Sequence, residues 1–194
     1  MSDGADFFKS LKKAREYGLE AFLEIMSELS QESTKRGTLD RKTKELITLG
    51  IALTKGCNRC IQIHAYEARR LGATDREVDH VERIAMFMQA SPTGKADMWA
   101  VWQSSWREYV LSRAPIARHT RELTAVGIAL VKQHSDLIEL HVRSALQLGA
   151  TPTQVFEIMP IALLMDGAPA LSQIPHLVKA IESGHLTLAE NPAA

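Results

Sequence analysis

Cysteine is nearly absent from this chain, with two residues in 194. That is too few for the disulfide framework of a small secreted scaffold. Net charge is missing as well, because 23 basic and 23 acidic residues cancel. Nothing in that balance points to a nucleic acid or an anionic membrane surface as partner. Long apolar runs are also lacking, and no window approaches the roughly eighteen consecutive apolar residues of a membrane span. The opening MSDGADFFKSLKKAREYG holds no apolar stretch of signal-peptide length. These absences together predict a protein of the reducing cytoplasm, where any disulfide is catalytic or regulatory. What remains is ordinary for a folded globular chain, 45% hydrophobic and 24% charged, rather than a disordered one.

The chain repeats itself. Residues 41–74 read RKTKELITLGIALTKGCNRCIQIHAYEARRLGAT, and residues 118–151 read RHTRELTAVGIALVKQHSDLIELHVRSALQLGAT, an offset of 77 at which 16 of 34 positions are identical. A weaker echo pairs Ile84, Ala85, Met88 and Pro92 with Ile161, Ala162, Met165 and Pro169. Such self-similarity marks a tandem duplication. The expected organisation is an N-terminal repeat over 1–92 and a degenerate C-terminal repeat over 93–194, forming one two-repeat domain.

Each unit reads as helical, and strand signals are weak throughout, so the predicted fold class is all-α. Asp40 is the expected N-cap of a helix over 41–55, with Leu46, Leu49, Gly50 and Leu53 on one face. Gly56 can end that helix in a left-handed conformation. A second helix is predicted over 57–71, stopped by Gly72. Thr74-Asp-Arg-Glu77 is a capping box for a third, over 75–89. Thr151-Pro-Thr-Gln154 repeats that signal with proline at the first helical turn, and Pro92 and Pro169 are expected to close the third helices. Ahead of each unit lies one more helical stretch. Its apolar face is Leu19, Phe22, Leu23 and Met26 in the first repeat, and Trp99, Trp102 and Trp106, expected in the core or a subunit interface, in the second. The tail after Ile181 is expected to be loose.

The chemistry gathers in the first repeat. Cys57-Asn58-Arg59-Cys60 is a CxxC motif at the predicted start of a helix, where unpaired N–H groups and the helix dipole favour thiolate over thiol. Arg59 adds a cation acting in the same direction. Cys57, Cys60, Ile61, His64, Ala68 and Leu71 fall on one helical stripe, which puts His64 one turn beyond Cys60. If helices 41–55 and 57–71 form an antiparallel hairpin, Glu45 and His64 differ in axial height by only about 4–5 Å. A carboxylate, an imidazole and a thiol in that order are the parts of an activated nucleophile. Two other readings stay open: the four side chains could form a zinc set, and the Glu–His pair could simply pin two helices together. The second repeat keeps Glu122 and His141 at the same separation but has His134 and Leu137 where the cysteines stood. A structural role is expected for Glu122, His134 and His141.

The pattern Glu45-x11-Cys57-x2-Cys60-x3-His64, flanked by LDRKTKELITLGIAL and by the continuation ARRLGAT, resembles the alkylhydroperoxidase D branch of the carboxymuconolactone decarboxylase family. The likeness is strong over 39–92 and degenerate over 116–169. It implies an all-helical homo-oligomer without an organic cofactor or metal, a trimer of two-repeat chains in a pseudo-sixfold ring, with a dimer as the alternative. It also implies that Cys60 attacks a small hydroperoxide, that Cys57 resolves the sulfenic acid as a disulfide, and that Glu45 and His64 relay protons. A thiol reductant or redox protein would then restore the dithiol. Arg59 stands where the best-known peroxidase members carry a histidine, and the decarboxylase members lack the CxxC. A carboxymuconolactone-type lyase and a non-catalytic redox-sensing module are the competing functions.

Overall fold

A computed structural model describes residues 2–92 and 96–190, with side chains placed for 7–92 and 97–184. Among the described residues there are helices and turns and no strand. The first repeat contains α2 (Glu20–Thr34), α3 (Arg41–Lys55), α4 (Asn58–Arg70) and α5 (Asp75–Gln89). Ahead of it lies α1 (Ser2–Ala14), separated from α2 by a kink at Gly18. Local chemistry sets the boundaries much as the sequence signals require. Asp40 accepts a hydrogen bond from the Thr43 amide, Gly56 closes α3 at φ 66°, and Thr74 with Glu77 forms a complete capping box on α5.

The second repeat follows the first at the same offset. Helix α6 (Ala96–Leu111) stands where α2 stood, and α7 (Arg118–Val131) and α8 (Ser135–Gln147) match α3 and α4. Gln133, the counterpart of Gly56, keeps a positive φ of 54°, so the left-handed turn outlived its glycine. The third helix is where the copies part. Unbroken α5 corresponds to two pieces, α9 (Pro152–Phe156) and α10 (Ile158–Asp166). Pro160 has no N–H to offer the Phe156 carbonyl, and its ring crowds that oxygen. Gly167 ends α10, and Pro169, expected to do so, instead lies in the first turn of α11 (Ala168–Leu171). The tail also differs from expectation, since α12 (Ile174–Glu190) carries the helix well beyond Ile181. It packs along α8 so closely that a Cβ on Gly184 would lie 2.7 Å from Leu146 Cδ1. Tertiary contact has overridden a weak local signal.

The two repeats interlock around α3 and α7, which cross at the centre of the core. Their crossing is made close by equivalent glycines, for a Cβ on Gly50 would meet Thr124 Cγ2 at 2.7 Å and one on Gly127 would meet Ile51 Cδ1 at 2.9 Å. Helix α2 packs on α10 of the other repeat, while Trp102 and Trp106 of α6 pack on Phe87 of α5. Charged groups follow the same exchange. Lys44 pairs with Glu157 across the repeats at 2.8 Å. Their counterparts are Arg121 and His80, whose imidazole is held below its ordinary range by burial first and by the Arg121 guanidinium next. Arg121 is held by the carbonyls of Tyr109, Val110, Ser112 and Ile116. The α2 face stays bare, with Phe22, Ile25 and Met26 exposed.

Candidate active site

Helix α4 begins on a sulfur. Cys57 is its N-cap, in extended conformation, and its Sγ accepts from the Cys60 amide at 3.3 Å. Three residues of spacing bring the Cα atoms to 5.3 Å, and Cys57 and Cys60 are joined as a disulfide. The motif therefore folds into the disulfide-bonded geometry its spacing allows. Both cysteines and Arg59 are part-buried. Arg59 turns its guanidinium onto α1, 4.4 Å from the Phe7 ring centroid and 5.5 Å from that of Phe8. Its Nε is buried without a hydrogen-bond partner among the described residues. Two aromatic rings thus cover Arg59, one of the two residues between the cysteines, a contact that the sequence reading missed because α1 is remote in the chain.

One turn along α4, His64 Nδ1 donates to Glu45 Oε2 at 2.7 Å. The pair is buried, Glu45 at 4% and His64 at 8% exposure, so the α3–α4 hairpin delivers the juxtaposition read from axial heights. That contact fixes the imidazole ring and leaves Nε2 without a hydrogen bond among the described residues, the arrangement of an oriented acid–base group. The pair opens onto a cavity of about 460 Å³ whose walls include Lys35, Arg36, Arg41, Ile63 and Glu67. Glu67 is held below the ordinary carboxylate range, chiefly by its hydrogen bond from Arg70. Neither cysteine lines this cavity. The structure brings Cys57 to Cys60 and Glu45 to His64, while no hydrogen bond joins the two pairs. Among the described residues no group of three or more histidine, cysteine or acidic side chains converges as a metal-ligand set.

In the second repeat, His134 replaces Cys57 as N-cap, its Nδ1 accepting from the Leu137 amide at 3.4 Å. Glu122 Oε2 accepts from His141 Nδ1 at 2.7 Å and Glu122 Oε1 from Trp106 Nε1 at 3.0 Å. Trp106 is buried, as expected of the tryptophan stripe, and so is Trp102; Trp99 is only partly so.

The family model for the carboxymuconolactone decarboxylase family matches residues 20–104 and again 98–180. The chain therefore belongs to that family and carries its unit twice, each match opening at or near α2 or its counterpart α6. An uncharacterised protein of Cupriavidus necator is 32% identical over 85 residues, covering 44% of this chain and 72% of the relative. Uncharacterized protein 4 in the cox locus of Paracoccus denitrificans is 39% identical over 54 residues, covering 28% of this chain and 49% of that protein. The 4-carboxymuconolactone decarboxylase of Acinetobacter baylyi is 29% identical over 77 residues, 40% of this chain and 57% of that enzyme. The last two are thus matched over less than two thirds of their length. No solved structure matches significantly. Among the described residues no helix is long and apolar enough to cross a membrane.

Proposed function

We propose that this chain is a thiol-dependent hydroperoxide reductase, a disulfide oxidoreductase whose redox centre is Cys57/Cys60. The observation that carries the reading is the Cys57–Cys60 disulfide at the start of α4, one turn before an imidazole oriented by a buried carboxylate. In the reduced enzyme the Cys60 thiolate attacks a peroxide oxygen. The S–O bond forms as the O–O bond breaks, and the departing alkoxide takes a proton from His64 to leave as alcohol. The Cys57 thiolate then attacks the sulfenic sulfur, forming the disulfide and releasing hydroxide, which leaves as water once protonated. A dithiol reductant supplies the two electrons that reopen it. Glu45 holds the ring in place through its hydrogen bond with Nδ1.

This cycle suits a reducing cytoplasm, where an idle disulfide would not persist. The bare apolar face of α2, with Phe22 at 65% and Ile25 at 60% exposure, supports assembly into a symmetric homo-oligomer, with a trimer as the favoured form. One observation favours a second reading, a lyase acting on a small acid. Lys35, Arg36 and Arg41 surround the cavity onto which Glu45 and His64 open, and one relative is named as a decarboxylase. Hydroperoxide consumption with a dithiol reductant, measured for wild type, Cys57→Ser and Cys60→Ser, separates the two. The peroxidase loses turnover in both variants. A lyase would keep its activity in Cys60→Ser, and unchanged peroxide consumption in both would overturn the thiol cycle.

A further inference from the structure

Exposed large apolar side chains crowd the N-terminal helices, where Phe8, Tyr17, Leu19, Phe22, Ile25 and Met26 all face solvent. On α2 they form a stripe, with Phe22, Ile25 and Met26 at i, i+3 and i+4. The second repeat shows the same stripe covered. Trp99, Trp102 and Trp106 of α6 stand 77 positions after Phe22, Ile25 and Leu29. Trp102 and Trp106 are buried, at 8% and 2% exposure, whereas Ile25 is 60% exposed. The helix at this place in the unit thus carries a face built to be buried. In the first repeat nothing among the described residues buries it.

Charge selects the partner. Helix α2 carries Glu20, Glu24, Glu28 and Glu32, one on every turn, and no basic residue. Helix α1 carries Lys9, Lys12 and Lys13. Part of this charge is matched within the chain, Glu20 by Arg15, Glu32 by Lys35 and Lys13 by Glu16. Lys9 and Lys12 on α1 are left over, as are Glu24 and Glu28 on α2. All four are exposed, with no ion pair among the described residues. Within one chain the two sets do not meet, since the chain turns at Gly18 between them. The two glutamates edge the apolar stripe beside Ile25, and α6 has Val101 and Ser105 in their places. The acidic edge is therefore particular to the helix whose stripe is bare. Phe7 seats α1 on Arg59, with Lys9 and Lys12 on the outside.

We propose that α2 docks against α1 of a second copy of this chain, Lys9 and Lys12 facing Glu24 and Glu28 while Phe8 covers the stripe of Phe22 and Ile25. In a dimer the contact is made twice about the symmetry axis; in a trimer each α1 passes to the next copy. Opposite charges bordering an apolar seam set partner and register more than they add affinity. The proposal rests on the homo-oligomer of the reading above and not on its thiol chemistry.

The test is sedimentation velocity of the full-length protein over a concentration series, with the charges reversed on each helix in turn. Wild type is expected to assemble. Lys9→Glu/Lys12→Glu and Glu24→Lys/Glu28→Lys should each weaken association roughly tenfold or more, because each sets like charges against one another. The quadruple variant, in which the charges are exchanged, should recover it. Phe22→Ser/Ile25→Ser should dissociate the assembly as well. All six side chains are exposed, so each variant should keep its fold, checked by its helical circular dichroism. Three results would overturn the proposal: a wild type that stays monomeric at high micromolar concentration, assembly indifferent to either reversal, or a quadruple variant that fails to associate. None of these reads peroxide turnover, so the redox reading stands or falls separately.

Discussion

Replacing Glu157 with glutamine removes the charge that ties the break in the second repeat to the first. Its carboxylate accepts from the Thr38 amide at 2.7 Å, the Thr38 hydroxyl at 2.6 Å and the Leu39 amide at 3.3 Å, and it pairs with buried Lys44. Burial alone would raise its pKa; the Lys44 ammonium and the three donors outweigh that and hold it at about 2 rather than 4.5. A carboxyl so displaced contributes about 3 kcal/mol at neutral pH, trimmed to about 2–3 because the side chain keeps 19% exposure and some solvent screening. A depressed carboxyl gives stability that is complete above its unfolded value of 4.5 and is lost as pH falls towards 2. His80 acts in a higher window: burial, then Arg121 and Arg83, lower it from 6.5 to about 4. It therefore costs stability as pH falls from 6.5 to about 4, because the unfolded chain takes up that proton first.

Urea unfolding followed by helical circular dichroism, at neutral pH and at about pH 3, gives the result at fixed protein concentration. Glu157→Gln should be about 2–3 kcal/mol less stable at neutral pH, a deficit that falls by roughly half at about pH 3. The higher His80 window should be unaltered. Adding Lys44→Met should recover part of the loss, since the unpaired buried ammonium is much of the cost. A glutamine variant within about 0.5 kcal/mol of wild type at neutral pH would refute the reasoning.

Two further outcomes follow from the packing. Gly50→Ala places a methyl 2.7 Å from Thr124 Cγ2; the overpacking, about 1–3 kcal/mol, outweighs a helix-propensity gain of about 1 kcal/mol. Thermal unfolding should show a net loss that Thr124→Ser relieves, because serine keeps the hydroxyl bond to Thr120 without the methyl. Phe7→Ala/Phe8→Ala uncovers Arg59, and removing two cation–π contacts, about 0.5–1 kcal/mol each, should speed dithiol reduction of the disulfide several-fold; an unchanged rate would mean that α1 does not guard the CxxC.

The duplication, the helices α3 to α5, the CxxC at the start of α4 and the Glu45–His64 contact were all legible in the sequence, while the capping of α4 by the Cys57 sulfur was not. They rest on short-range spacing or on two helices joined by one tight turn. What escaped depends on contacts distant in the chain. Glu157 meets Thr38 and Lys44 only because the repeats interlock. Phe7 and Phe8 reach Arg59 only because the chain kinks at Gly18. The α12 extension is held by α8, with no strong local signal of its own. The break at Glu157 was in principle readable from Pro160, whose ring ends any helix that needs its amide. The cation-lined cavity beside Glu45 draws Lys35 and Arg36 from the α2–α3 turn, where nothing in the spacing marks them.

The thiol cycle stands most directly on the fate of one sulfur in a single turnover. Reduced Cys57→Ser, mixed with one equivalent of an organic hydroperoxide and then with a sulfenic-acid-trapping reagent, should carry the adduct on Cys60 in intact-mass and peptide analysis, with one equivalent of alcohol released. Consumption of the peroxide without an adduct on Cys60, or a Cys60 thiol that stays unmodified while the peroxide persists, would contradict the account.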